Sequence, residues 1–289
     1  MIWRILKFIA CIGGLSMLLS SSAASINISA GQTSIIQPPI PLSAAQLQEK
    51  ATGITVKILS TDFLGSGILL NKQNSVYTVL TNAHVLRADN PRYRIQTPDG
   101  EIYQADVPKN VNFHNYDLAI LQFYSIKKIY SVANLGTAPK VGDEVFIAGF
   151  PMEEESEKIS FVFIGGKVSL VLPKALEAGY QVGYTNRLEK GMSGGALLNK
   201  QGEVVGVNGM HAYPLWDSPS VFVDGSQAEE KLHQEIVGLS WAIPIDKVVQ
   251  MMGKSPSESN SRLYKQSPRR RTNEKSKILN PRSRSVPKE

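Results

Sequence analysis

The sequence predicts an all-β body, an antiparallel sandwich or barrel, and three observations carry that expectation. From Gly53 to Met252 short runs rich in Val, Ile, Tyr and Phe alternate with Gly, Asn, Asp and Lys, the spacing of hairpin-linked strands. Turn signals such as Pro98-Asp99-Gly100 and Lys200-Gln201-Gly202-Glu203 fall where hairpin connections belong. Long stretches of 3.6-residue periodicity are scarce, so the helices that a doubly wound α/β fold needs between its strands are missing.

Taken in order, a helix is expected at Ala44 to Lys50. Strands are expected at Ile54 to Leu59, Gly67 to Leu70, Val76 to Thr81, Tyr93 to Thr97, Leu118 to Phe123 and Glu144 to Gly149. Further strands follow at Phe161 to Leu172, Tyr180 to Thr185, Ala196 to Asn199, Val204 to Gly209 and Val237 to Ile243. A last helix, Pro244 to Met252, closes the domain.

The flanks read differently. Met1 to Ala24 has Arg4 and Lys7, no acid, an apolar run from Phe8 to Leu19 and then small residues from Ser20 to Ser25, the order of a secretory signal. The run of about 12 residues is short of the roughly 20 a spanning helix needs, so cleavage after Ala23 or Ala24 is expected, with a retained anchor as the alternative. Residues 25–45, with Pro38, Pro39 and Pro41, read as a flexible linker, 46–253 as the folded domain and 254–289 as a disordered basic tail. The net charge of +6 resolves accordingly: the signal carries +2, the tail +8, and the body is left at −4. A nucleic-acid-binding body is therefore not indicated, although the tail could contact an anionic membrane surface, polymer or nucleic acid by nonspecific charge. The only Cys, Cys11, lies in the signal, so no disulfide framework is available.

The strongest chemical signal is Gly191-Met192-Ser193-Gly194-Gly195. Flanking glycines let backbone amides approach a reacting oxygen, and a Ser in such a turn is a candidate nucleophile; a purely structural turn is the alternative. The pattern also satisfies the elbow of α/β-hydrolases, with Asp217 or Asp224 and His233 downstream as partners. That fold requires a buried strand before the Ser and a helix after it. Here the preceding residues are Asn186-Arg187-Leu188-Glu189-Lys190, and strand, turn and strand follow. A hydroxyl nucleophile needs a base, and the base needs an orienting acid. His84, at the end of the strand in Thr81-Asn82-Ala83-His84-Val85, and Asp117, before the strand in Asp117-Leu118-Ala119-Ile120-Leu121, are the candidates.

These three blocks, in the order His, Asp, Ser, resemble the catalytic blocks of chymotrypsin-fold, trypsin-like serine proteases, in their cysteine-free bacterial form. The resemblance spans Gln46 to Met252 and includes Gly65-Ser66-Gly67-Ile68-Leu69-Leu70 and Leu239-Ser240-Trp241-Ala242-Ile243-Pro244-Ile245. It implies two packed antiparallel six-stranded β-barrels with the cleft between them. It further implies Ser193 as nucleophile, His84 as base, Asp117 as its orienting acid, and the amides of Gly191 and Ser193 as the oxyanion hole. Protein or peptide substrates follow, with no metal or cofactor. A protease-like binding module and a serine esterase are the rival readings.

Departures from the family pattern sharpen the expectation. The residue before the nucleophile is Met192 rather than the Asp that pairs with a newly cut N-terminus in digestive members, so that switch is absent. The resemblance places the primary pocket among Arg187, Leu188, Gly209, Met210, His211 and Gly238, without an acidic floor. Arg187 would attract an acidic side chain or face solvent. His114 reads as a loop residue, Glu153-Glu154-Glu155-Ser156-Glu157 as a solvated hairpin loop, and Tyr213 to Ile236 as a surface loop beside the cleft or a solvated insertion. With no room for an added peptide-binding domain after Met252, the quality-control proteases that carry one are expected to match incompletely.

Overall fold

The computed structural model describes residues 42–87, 92–109, 111–152, 160–213 and 220–253. The expected signal, nearly all of the linker, the acidic run after Met152, Pro214, Trp216, Asp217 and the basic tail lie outside the described residues.

The first element, helix α1 (Ala44–Ile54), starts at a reciprocal cap: Gln46 N–H donates to Ser43 Oγ (3.3 Å), while Ser43 N–H donates to Gln46 Oε1 (3.0 Å). Leu47, Ala51 and Ile54 fall on one face and are buried. The boundary expected at Gln46 thus falls inside a helix whose cap already belongs to the folded body.

Six strands follow: β1 (Thr55–Leu59), β2 (Phe63–Gln73), β3 (Val76–Thr81), β4 (Arg94–Gln96), β5 (Ile102–Asp106) and β6 (Ala119–Tyr124). They close antiparallel in the order β1-β2-β3-β6-β5-β4. A second set, β7 (Glu144–Gly149), β8 (Val162–Val171), β9 (Val182–Tyr184), β10 (Ala196–Leu198), β11 (Val204–Met210) and β12 (Ser240–Pro244), closes as β10-β11-β12-β9-β8-β7. Closure removes the free edges that an open sheet would expose. Helix α2 (Glu230–Val237) precedes β12, and α3 (Ile245–Met252) follows it.

Three apolar clusters hold this arrangement. Val56, Ile58, Leu69, Tyr77, Val79, Ile95, Leu121 and Phe123 fill the first barrel. Val145, Ile147, Val168, Val182, Tyr184, Leu197 and Val205 fill the second. The largest joins residues of both, with Ile68, Leu80, Leu118 and Ile120 packed in one cluster with Ala148, Leu176, Tyr180, Val207 and Trp241. Strands at the junction are therefore buried on both faces. In β2, Leu69 belongs to the barrel interior, while Ile68 and Leu70 belong to the joining core. This is why Ile68-Leu69-Leu70 and Ile120-Leu121 read as unbroken apolar runs instead of alternating.

The structure bears out the expected fold class of two six-stranded barrels and a short C-terminal helix. It adds β5, whose only buried residue is Ala105, so its polar sequence gives little strand signal. It also adds α2, which buries only Ile236 and takes up the end of the segment expected as a surface loop. Val237, expected to open the last strand, ends this helix, and the strand begins at Ser240.

Packing at β2 leaves no room for growth. A Cβ at Gly67 would stand 2.6 Å from Val79 Cγ1, 3.1 Å from Ile58 Cδ1 and 3.2 Å from Val56 Cγ2. Gly67→Ala is expected to destabilise the fold by about 1–3 kcal/mol, seen as a Tm lowered by roughly 3–10 °C in a thermal melt. An unchanged Tm would contradict this packing.

Candidate active site

The register of the first barrel brings the His and Asp blocks together. β3 and β6 pair antiparallel through Leu80↔Ile120 and Thr81↔Ala119. Continuing that register past both strand ends sets Ala83 opposite Asp117, and His84 opens a 3-10 turn, His84–Leu86, there. The side chains then meet. His84 Nδ1 lies 2.5 Å from Asp117 Oδ2, and the His84 backbone N–H donates to Asp117 Oδ1 at 2.8 Å. Below them Asn82 Nδ2 donates to the Asp117 carbonyl at 2.8 Å.

Asp117 is a buried acid, 8% exposed, beside a histidine 35% exposed. Its carboxylate accepts from two His84 groups and from the Tyr180 hydroxyl, the last at 2.5 Å. Burial pushes the carboxyl up, but the bonds and charge of His84 and the bond from Tyr180 together outweigh it and hold the acid below the usual carboxylate range. The pairing also fixes the imidazole ring, because a hydrogen bond at Nδ1 leaves Nε2 to face the cleft.

The Ser193 turn is pinned from both barrels. Gly191 and Gly194 adopt φ of +90° and +83°, a region that a Cβ disfavours. A Cβ at Gly194 would also stand 2.2 Å from both Ser66 O and Thr81 Oγ1. Ser66 N–H donates to the Ser193 carbonyl (2.9 Å) and Ser66 Oγ to the Gly191 carbonyl (2.8 Å). From the second barrel, the Asn208 carbonyl accepts from Gly194 N–H at 2.8 Å. Met152 N–H donates to the Lys190 carbonyl at 2.8 Å. In a planar trans peptide the N–H points opposite the carbonyl, so this bond fixes the direction of the Gly191 amide. Met192 is fully buried in the second barrel's core, so this position anchors the turn by packing.

A cleft of about 830 Å³ at this junction is lined by His84, Asp117 and Ser193 together with Gly209, Met210 and His211. The Ser193 hydroxyl makes a long bond to the Gly209 carbonyl, 3.4 Å. Of the other residues expected in the primary pocket, Arg187 is 87% exposed and within 3.9 Å of Glu189. Leu188 is part of the barrel core, and Gly238 caps α2. None of these three lines the cleft. His114, read as a loop residue, sits on the cleft wall at a φ of +53°. His233 bonds Ser220 instead (2.7 Å). The sequence reading missed Arg87, Leu176, Glu177, Ala178, Tyr180 and Lys190, which also line the cleft; they lie outside the three blocks and carry no motif.

Two closed six-stranded barrels with His, Asp and Ser side chains gathered at their junction define the chymotrypsin-type two-barrel class. Residues 65–207 match the trypsin-like peptidase domain family, a match that, with the two-barrel fold, supports a chymotrypsin-fold serine protease. A probable periplasmic serine endoprotease DegP-like of Buchnera aphidicola subsp. Baizongia pistaciae is 28% identical over 195 residues, 64% of this chain and 35% of that protein. The periplasmic pH-dependent serine endoprotease DegQ of Escherichia coli is 31% identical over 147 residues, 50% of this chain and 30% of that one. Serine endoprotease DegS of Haemophilus influenzae is 29% identical over 198 residues, 65% of this chain and 48% of the relative. The chain thus spans 30% to 48% of the length of these relatives. The crystal structure of the serine endoprotease from Yersinia pestis superposes with a TM-score of 0.52 at 22% identity, covering 74% of this chain and 66% of that one, which supports the same fold.

The lowered Asp117 carboxyl makes a pH-dependent prediction. The stability it contributes is fully present above the ordinary carboxylate value, about pH 4, and is lost as pH falls through the depressed folded value. In urea titrations, the margin of the wild type over Asp117→Asn should be widest above about pH 4 and shrink below it. A margin independent of pH would refute the assignment.

Proposed function

We propose that the protein is an exported serine endopeptidase that hydrolyses peptide bonds through Ser193, His84 and Asp117. The observation that carries this reading is the His84–Asp117 pair at 2.5 Å, facing the same cleft as Ser193. In this mechanism Ser193 Oγ attacks the substrate carbonyl carbon while its proton passes to His84 Nε2. The amides of Gly191 and Ser193 stabilise the oxyanion, a contribution of a few kcal/mol to the barrier in comparable sites, about 3–4. Collapse of the intermediate breaks the C–N bond, and His84 returns the proton to the leaving amine. Water then repeats the sequence on the acyl-enzyme, with Asp117 holding the imidazole tautomer and stabilising its charged form throughout. Ser193 turns from the Gly209 carbonyl to His84 in this scheme, since catalytic hydrogen bonds commonly tighten only with substrate present. Substrate contacts are assigned to Gly209, Met210 and His211, and the solvent-facing Arg187 supports leaving it out of the pocket.

The domain plan accompanies this reading: a signal at 1–24, a linker leading to the capped helix, the protease body, and a basic tail from 254 that touches anionic surfaces. Export is supported by the signal-like N-terminus and by relatives whose names place them in the periplasm.

A fluorophosphonate probe is expected to label the purified protein and to fail on Ser193→Ala, with casein hydrolysis lost in the same variant by at least about 10³-fold. A folded wild type that neither reacts with the probe nor cleaves casein would favour the binding-module reading, whereas probe labelling with turnover of simple esters alone would favour an esterase.

A further inference from the structure

Asp117 accepts three hydrogen bonds on its carboxylate, and two of the donors belong to His84. The third donor comes from the other barrel. Tyr180, two residues before β9, is buried at 6% exposure, and its hydroxyl reaches Asp117 Oδ2 at 2.5 Å, the same oxygen that faces His84 Nδ1. What makes room for the phenol is a missing side chain. A Cβ at Gly209 would stand 2.3 Å from the Tyr180 hydroxyl oxygen and 2.7 Å from its Cε1, contacts that cannot coexist with the ring where it is. The backbone follows the same path. Asp117 N–H donates to the Ala178 carbonyl at 2.8 Å, and Tyr116 packs so closely on Gly179 that a Cβ there would come within 2.1 Å of its Cδ1.

We propose that Tyr180 is a positioning residue for the Asp117–His84 pair, seated in the space left by Gly209, so that the second barrel sets the orientation and acceptor strength of an acid carried by the first. The proposal rests on the triad reading above. Two donors on one carboxylate oxygen divide its charge between them, so removing the phenol strengthens the remaining bond to His84 and frees the carboxylate to rotate. Burial, then the Asp117 charge and hydrogen bond, hold the phenol proton well above the ordinary tyrosine range, which keeps it a donor throughout the working pH range.

The test uses Tyr180→Phe in the full chain, which keeps the ring and removes the hydroxyl. One readout is the far-downfield proton resonance of the His84 Nδ1–H, identified by its loss in Asp117→Ala; it is expected to move. The other is kinetic: kcat should fall roughly 5- to 30-fold while KM stays within about twofold, because the phenol acts on the acid and not on the substrate. Gly209→Ala approaches the same contact from the opposite side, since its Cβ must displace the phenol, and its resonance should move likewise. That variant decides the matter if Tyr180→Phe fails to fold. A resonance that stays in place in the folded variants, or a kcat that Tyr180→Phe leaves unchanged, would overturn the proposal. If the wild type cleaves nothing, the protease reading fails, and the resonance still decides the role of Tyr180.

Discussion

One buried serine ties the elements of this site together. Ser66 in β2 donates its backbone N–H to the Ser193 carbonyl and its hydroxyl to the Gly191 carbonyl; it receives the Phe150 N–H on that hydroxyl and the Thr81 hydroxyl on its carbonyl. Thr81 is the last residue of the strand that delivers His84, and Phe150 follows β7. The Ser193 turn, the end of the strand that leads to His84 and the first strand of the second barrel are thus fastened to a single fully buried residue. An apolar side chain here would leave the buried Gly191 carbonyl and the half-buried Phe150 amide without this partner, and an unpaired buried group costs about 1–3 kcal/mol.

The acid is treated in the same way. An isolated carboxylate at 8% exposure would be neutral or unstable; the Asp117 carboxylate is held charged by three hydrogen bonds. His84 supplies two, Tyr180 one, and Asn82 holds the backbone carbonyl behind it. Neither barrel completes this shell alone. The cleft keeps this arrangement only where the two are packed, and the joining core that runs from Ile68 and Leu80 to Tyr180 and Trp241 is what keeps them packed.

Much of this was legible in the sequence, and the exceptions have physical causes. Strands such as Val76–Thr81 and Glu144–Gly149 coincide with the apolar runs, because β-branched and aromatic residues on buried sheet faces leave a local signature. The three blocks were readable because the proposed chemistry calls for particular residue types, and their order along the chain matches that of the family they resemble. β5 and α2 were not, since each buries a single residue and their character comes from neighbours far along the chain. Arg187 and Gly238 show the limit of carrying a pocket over by position: Arg187 faces solvent and Gly238 caps a helix, and neither lines the cleft. Tyr180 gave no signal at all. Its importance lies in a hydroxyl that meets an acid 63 residues earlier in the chain, and only the three-dimensional arrangement reveals the glycine that admits it.

Helix α1 gives the chain an unusual order of assembly. It leads straight into the first barrel, yet Leu42 N–H bonds to the Lys200 carbonyl, and a Cβ on Gly202 would fall 3.2 Å from Leu42 Cδ1, 2.9 Å from Lys50 Cδ and 3.5 Å from Leu47 Cδ2. The helix therefore docks on the β10–β11 turn of the opposite barrel. The first segment of the body thus completes its contacts only when residues 200–202, about 150 positions later in the chain, are in place. These contacts fasten the start of the domain to its far half and discourage either barrel from opening on its own.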